Sequence, residues 1–182
     1  MASSSSTFVA GLTAAALATV GFLAFQASAS GPVASGKPRA GASPTAPKAP
    51  RDKKRPTALP KGTGTGERVV YSVDDDRVWL VSATDRVERT FKVTPGSVDP
   101  APGTYNVTSR SNATTGSDGV PIEHVVRFAT VGGVVIGFSV AVNGSAPVRD
   151  PAVRTGGIRQ SRADGDAMWQ FATIGERVVV IR

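Results

Sequence analysis

From Glu67 onward, apolar and polar residues alternate with the two-residue repeat of strands that have one wet face. Val69, Tyr71 and Val73 share a parity, and Asp74-Asp75-Asp76 then separates them from the run Arg77 to Ala83 (RVWLVSA). Three adjacent carboxylates between two strand runs read as turn residues rather than a metal site. Val87, Phe91 and Val93 share one face of RVERTFKV, with Arg89 the exception on it. A Pro/Gly-rich loop, PGSVDPAPG, leads to a strand from Thr104 to Arg110, and the stretch from Gly116 to Pro121 is a further loop. Ile122 to Thr130 puts Ile122, His124, Val126 and Phe128 on one face, and Gly133 to Val142 is a more continuous apolar strand. One helix is expected, from Ala163 to Ala172, where Ala167, Met168 and Phe171 recur at helical spacing. Asp164 stands near its start, where an acid suits the helix dipole. A strand from Glu176 to Ile181 closes the chain. The class that follows is mainly β: a β-sandwich or partly closed barrel with one short helix near the C-terminus.

The pattern upstream is different. Phe8 to Phe25 carries no charge over eighteen residues, and Ala27-Ser28-Ala29 follows as a small-x-small site. Residues 1–30 are therefore expected to be a signal peptide or a membrane anchor, and the protein to be exported to the extracellular side or cell wall, secreted or membrane-anchored. Residues 31–66 are rich in Pro, Ala and Gly with almost no large apolar side chain, the composition of a disordered basic linker. The folded domain is expected over residues 67–182.

Charge sharpens that division. The chain carries a net +7, and the stretch from Gly31 to Gly66 alone holds eight Lys or Arg against the single acid Asp52. The folded part is balanced, so the excess belongs to the linker and not to a nucleic-acid groove. Any membrane association is expected through the N-terminal segment. The chain has no cysteine, which rules out disulfides, a thiolate zinc site, a lipid-modified Cys and a Cys nucleophile.

Several local motifs in the C-terminal part carry a family resemblance. They are VVYSVDDDRVWLVSA followed by RVERTFKVTPG, Pro102-Gly103-Thr104-Tyr105, Ile136-Gly137-Phe138, and the ending GGIRQSRADGDAMWQFATIGERVVVI. Together they resemble the L,D-transpeptidase (YkuD-type) catalytic domain, which cross-links peptidoglycan stem peptides with a cysteine nucleophile and without metal or organic cofactor. The resemblance implies a degenerate member lacking the catalytic Cys and His. The family's Ser-His-Gly-Cys stretch falls on Arg154-Thr155-Gly156-Gly157, so Gly157 stands at the nucleophile position and Thr155 at the adjacent His position. The upstream His position falls on Ser139. Gly156, Ile158 and Arg159 match the pattern.

Attack on an acyl carbon needs a nucleophile, a base and oxyanion donors. Gly157 has no side chain, and the hydroxyls of Thr155 and Ser139 do not serve as bases near neutral pH. The resemblance thus implies a non-catalytic cell-envelope protein that binds a peptidoglycan stem peptide or a cell-wall protein. Arg159, Arg154 and Gly156 are the candidate binding residues, with two arginines suited to a carboxylate. Arg159 pairing with a nearby acid or carbonyl to shape the loop is the other reading. The alternative function is an active acyl transferase with a substitute nucleophile. Ser139, Thr155 and Ser161 are the candidates by proximity, and each needs a base; the single histidine, His124, is expected on the apolar face of its strand.

Overall fold

The computed structural model describes residues 54–144 and 152–182; the expected leader and most of the basic linker lie outside the described residues. Among the described residues, nine strands and one helix follow one another in the order β1 to β8, α1, β9. Strands β1 (Arg68–Ser72), β2 (Arg77–Val81), β3 (Val87–Lys92), β4 (Gly103–Asn106) and β9 (Arg177–Ile181) form one sheet, in the order β3-β2-β1-β9-β4. Strands β5 (Ser109–Thr115), β6 (Pro121–Val131), β7 (Val134–Ala141) and β8 (Gly156–Arg159) form a second, in sequence order. Each sheet is mixed, because β1 pairs parallel to β9 and β7 parallel to β8. The mainly β class and the short helix near the C-terminus are as the sequence pattern predicts.

Turn chemistry sets the hairpins. Asp76 (φ 48°) lets β1 turn into β2, and the Asp75 carboxylate accepts a hydrogen bond from Ser72 Oγ at 3.0 Å, so the acidic triplet is a turn. Gly132 and Gly133 (φ 54° and 80°) form the two-residue link between β6 and β7, where positive φ at both positions matches the strands' twist. The expected strand from Thr104 to Arg110 is instead two elements. Val107 N–H donates to Glu176 O while Thr108 N–H donates to Arg127 O, so consecutive amides serve different sheets and the chain crosses between them there.

The two sheets face each other across one core. Tyr71 of β1 meets Phe138 of β7 edge-on at 5.9 Å, and Tyr105 of β4 meets Phe128 of β6 at 5.8 Å. Helix α1 (Arg162–Phe171) contributes Met168 to the same core, with Ala172 following at its end. It begins within one residue of the sequence expectation. Ser161 caps it by accepting from Asp164 N–H at 3.2 Å, and such a cap contributes about 1 kcal/mol. The Asp164 carboxylate also receives Arg89 Nη2 at 2.7 Å, which explains the arginine on an otherwise apolar face of β3.

The first sheet is buried on both sides. Val69 and Tyr71 point into the core, while Val70, Trp79, Val81 and Ile181 form a second apolar cluster on the outer face, against which Leu59 packs. Trp79 Nε1 donates to Thr57 O at 2.8 Å, and Thr63 is buried. The packed region therefore extends upstream of Glu67. Among the described residues no helix is long and apolar enough to cross a membrane.

Candidate functional site

Strand β8 is held on both sides. Ile136, Gly137, Phe138 and Ser139 of β7 stand in register with Gly156, Gly157, Ile158 and Arg159. On the other edge Thr94 exchanges two backbone hydrogen bonds with Arg159, each 2.8 Å. Alternation then sorts the side chains. Ile136, Phe138 and Ile158 enter the core, whereas Gly137, Ser139, Thr155, Gly157 and Arg159 face outward. The outward set lines a cleft of about 380 Å³ on the outer face of the second sheet. The turn carrying Ser117, the β6 residues Val125 and Arg127, and Arg154 complete it.

The structure thus brings Ser139, Arg154, Thr155, Gly157 and Arg159 together. Gly156, expected with the binding residues, does not join them. A side chain there would stand 2.4 Å from both Ile136 Cδ1 and Val135 O, so Gly156 is a packing position against β7. At Gly157 a Cβ would point toward Arg159 Nη1, 3.0 Å away, and Thr155 Oγ1, 3.5 Å away.

Most polar groups around Gly157 already have partners. Thr155 Oγ1 accepts from Ser117 Oγ at 2.8 Å and from Gly157 N–H at 3.2 Å. That amide is the kind of donor an acyl-transfer site aims at an oxyanion, and here a neighbouring hydroxyl takes it. Thr155 N–H is in turn bound by Ser97 Oγ at 3.0 Å. Arg159 is 5 % exposed; its Nη1 donates to Ser139 Oγ, and its Nη2 to both oxygens of Asp118, at 2.9 and 2.7 Å. The acid that shapes the loop is therefore Asp118. Gly116 makes room for the pair, since a Cβ there would lie 2.4 Å from Asp118 Oδ1 and 2.9 Å from Arg159 Nη2.

The substitute nucleophiles fare differently. Ser161 is the helix cap. His124 keeps the inner face of Val126 and Phe128 as the alternation suggests, whereas Ile122, expected beside them, lines the cleft. Glu123 pairs with Val140 and Val126 with Phe138, so two residues, His124 and Val125, stand against Ser139. This bulge reverses the parity. Val125 lines the cleft, while His124, at φ 50°, stacks on Trp169 of α1 (5.3 Å between rings) and pairs with Asp166 at 3.0 Å. Histidine and hydroxyls thus stand on opposite faces of the sheet.

Sequence reasoning missed Asp118, Ser117 and Arg127. Asp118 lies in a Ser-Asp-Gly turn, where an acid is ordinary turn chemistry, and nothing in spacing links it to Arg159. Arg127 on an alternating strand gave the one available signal, a cation outward on a face whose neighbours are hydroxyls.

No protein-family model and no curated protein matches the chain. Solved structures do match in fold. One is an L,D-transpeptidase (Yku) from Stackebrandtia nassauensis, with a TM-score of 0.50 and 15% identity over 74% of this chain and 59% of that one. Another is a fused Zn-dependent amidase/peptidase/peptidoglycan-binding domain-containing protein from Clostridium acetobutylicum ATCC 824, with a TM-score of 0.52 and 15% identity over 66% and 54%. The chain spans little more than half the length of these relatives. Its fold is that of the L,D-transpeptidase (YkuD-type) catalytic domain.

Proposed function

We propose that this protein is a non-catalytic cell-envelope protein whose L,D-transpeptidase-like domain binds peptidoglycan peptides or a wall-synthesis partner through the cleft on β8. The observation that carries the reading is the composition of that cleft. Its charged lining residues among those described are Arg127, Arg154 and Arg159, beside the hydroxyls of Thr114, Thr115, Ser117, Ser139 and Thr155. Such a surface suits a short peptide with a carboxylate. Arginine holds the acid, hydroxyls meet the amides, and Ile122, Val125 and Val134 take small apolar side chains. Acyl transfer has no support there, because Gly157 lines the cleft without a side chain and the single imidazole stacks on α1. Placement in the envelope draws on the uncharged run from Phe8 to Phe25 and the basic Pro-rich stretch after it.

The test is retention of the full chain on isolated cell-wall sacculi. The basic segment will bind an anionic wall by charge alone, so the informative partner is Arg127→Ala/Arg154→Ala, which keeps that segment. Wild type is expected to stay bound at a salt concentration that releases the variant. Equal release of the two, or retention no better than an unrelated basic-tailed protein, contradicts binding through the cleft.

A further inference from the structure

Arg159 is nearly enclosed, yet its partners do not exhaust it. Nη1 serves Ser139, Nη2 alone carries both Asp118 oxygens, and Nε–H has no acceptor among the described residues. A carboxylate meets a guanidinium best across two nitrogens, and Asp118 engages one. Asp118 rides on a turn whose backbone bonds close on themselves, Gly116 N–H to Val120 O at 2.8 Å and Gly119 N–H to Gly116 O at 3.0 Å. The turn reaches β8 through the side chains of Asp118 and Ser117. It can therefore swing as a unit without opening a strand ladder.

We infer that Arg159 is a carboxylate-recognition residue whose site Asp118 occupies from within the chain, so that an external carboxylate enters by displacing the turn at residues 116–119. The ligand class is the free carboxylate of a peptide or small acid. Because the internal carboxylate is tethered, its effective concentration at Arg159 is on the order of millimolar or higher, and free acids compete poorly in the resting state. The inference deepens the binding role proposed above and rests on it for its biological use, but its chemistry is testable alone.

The experiment uses the full chain with Asp118→Ala, which removes the internal carboxylate and leaves space, and with Asp118→Asn, which keeps the shape. Sodium formate is titrated against sodium chloride at equal ionic strength while thermal unfolding is followed. Formate is expected to raise the melting temperature of Asp118→Ala, chloride to do so much less, and neither to shift wild type beyond the ionic-strength effect. N-acetyl-alanyl-alanine is expected to bind Asp118→Ala roughly tenfold or more tightly than wild type, with its C-terminal amide showing no such gain. If Asp118→Ala does not fold, recovery of folding by formate, in it or in Asp118→Asn, supports the site. Absence of a formate-specific effect in both variants overturns it. Formate rescue without cleft-dependent sacculus retention removes the proposed function and leaves this site; the reverse pattern removes this site and leaves the function.

Discussion

Gly157 lines the cleft beside Thr155 and Arg159 and has no side chain. With Arg159 Nη1 3.0 Å and Thr155 Oγ1 3.5 Å from where a Cβ would stand, Gly157→Cys is expected to fold with a shift of a few tenths of an ångström. In a chain with no other cysteine its thiol is expected to react with a disulfide reagent at lower pH than free cysteine, because the guanidinium favours the thiolate. It is not expected to turn over stem peptides, since no imidazole is in place; a pH profile of labelling beside a turnover assay checks both. Gly116 is less tolerant. Gly116→Ala would press on Asp118 and Arg159 together and is expected to cost about 1–3 kcal/mol in denaturant unfolding. The cluster of Gly157, Thr155 and Ser139 was legible because the resemblance fixed their positions and strand alternation put them on one face. Asp118 was not, because its role comes from a contact with a residue 41 positions away.

At the scale of elements, alternation located the strands and failed where the chain breaks register. The bulge opposite Ser139 put Ile122 on the cleft face, away from Val126 and Phe128 with which its parity groups it. A second bulge between Leu80 and Val81 put Val87 into the outer apolar cluster rather than beside Phe91. The segment ahead of Glu67 reads as linker by composition, yet Leu59 packs against the outer apolar cluster. Trp79→Phe keeps the ring but strands Thr57 O, and is expected to cost about 1 kcal/mol in chemical unfolding. Deleting residues before Glu67 is expected to cost more, by baring the outer face.

Two turns give opposite pH signatures. A hydrogen bond from Arg68 holds the Asp85 carboxyl below the ordinary aspartate range, against a smaller effect of burial, with the Gly66 amide adding to it. Its contribution is present above that ordinary range and is lost as pH falls through the depressed value, so Asp85→Asn should flatten the acid limb of stability. Burial, with Glu67 beside it, raises Glu176 despite the bond from the Arg177 amide. Here stability declines as pH rises from the ordinary glutamate range through the raised value. Glu176→Gln is expected to remove that decline and to melt no lower than wild type at neutral pH. Melting curves across pH separate the two.

For the whole molecule, the paired sheets build a rigid frame whose outer face carries the cleft and whose inner face carries α1 and the histidine. The mainly β class followed from alternation and turn residues, because both are local. The assignment of strands to the two sheets did not, since it depends on a crossing at Val107 and Thr108 that leaves no mark in hydropathy and on the return from β8 through α1 to β9. The frame is that of the L,D-transpeptidase fold, and the function proposed above has this chain use it to bind rather than to react. Incubation of the purified full chain with a carbapenem, followed by intact-mass measurement, tests that most directly. The predicted result is an unmodified mass at every incubation time. A mass increased by one opened β-lactam contradicts the account, and peptide mapping would then name the side chain that does the attacking.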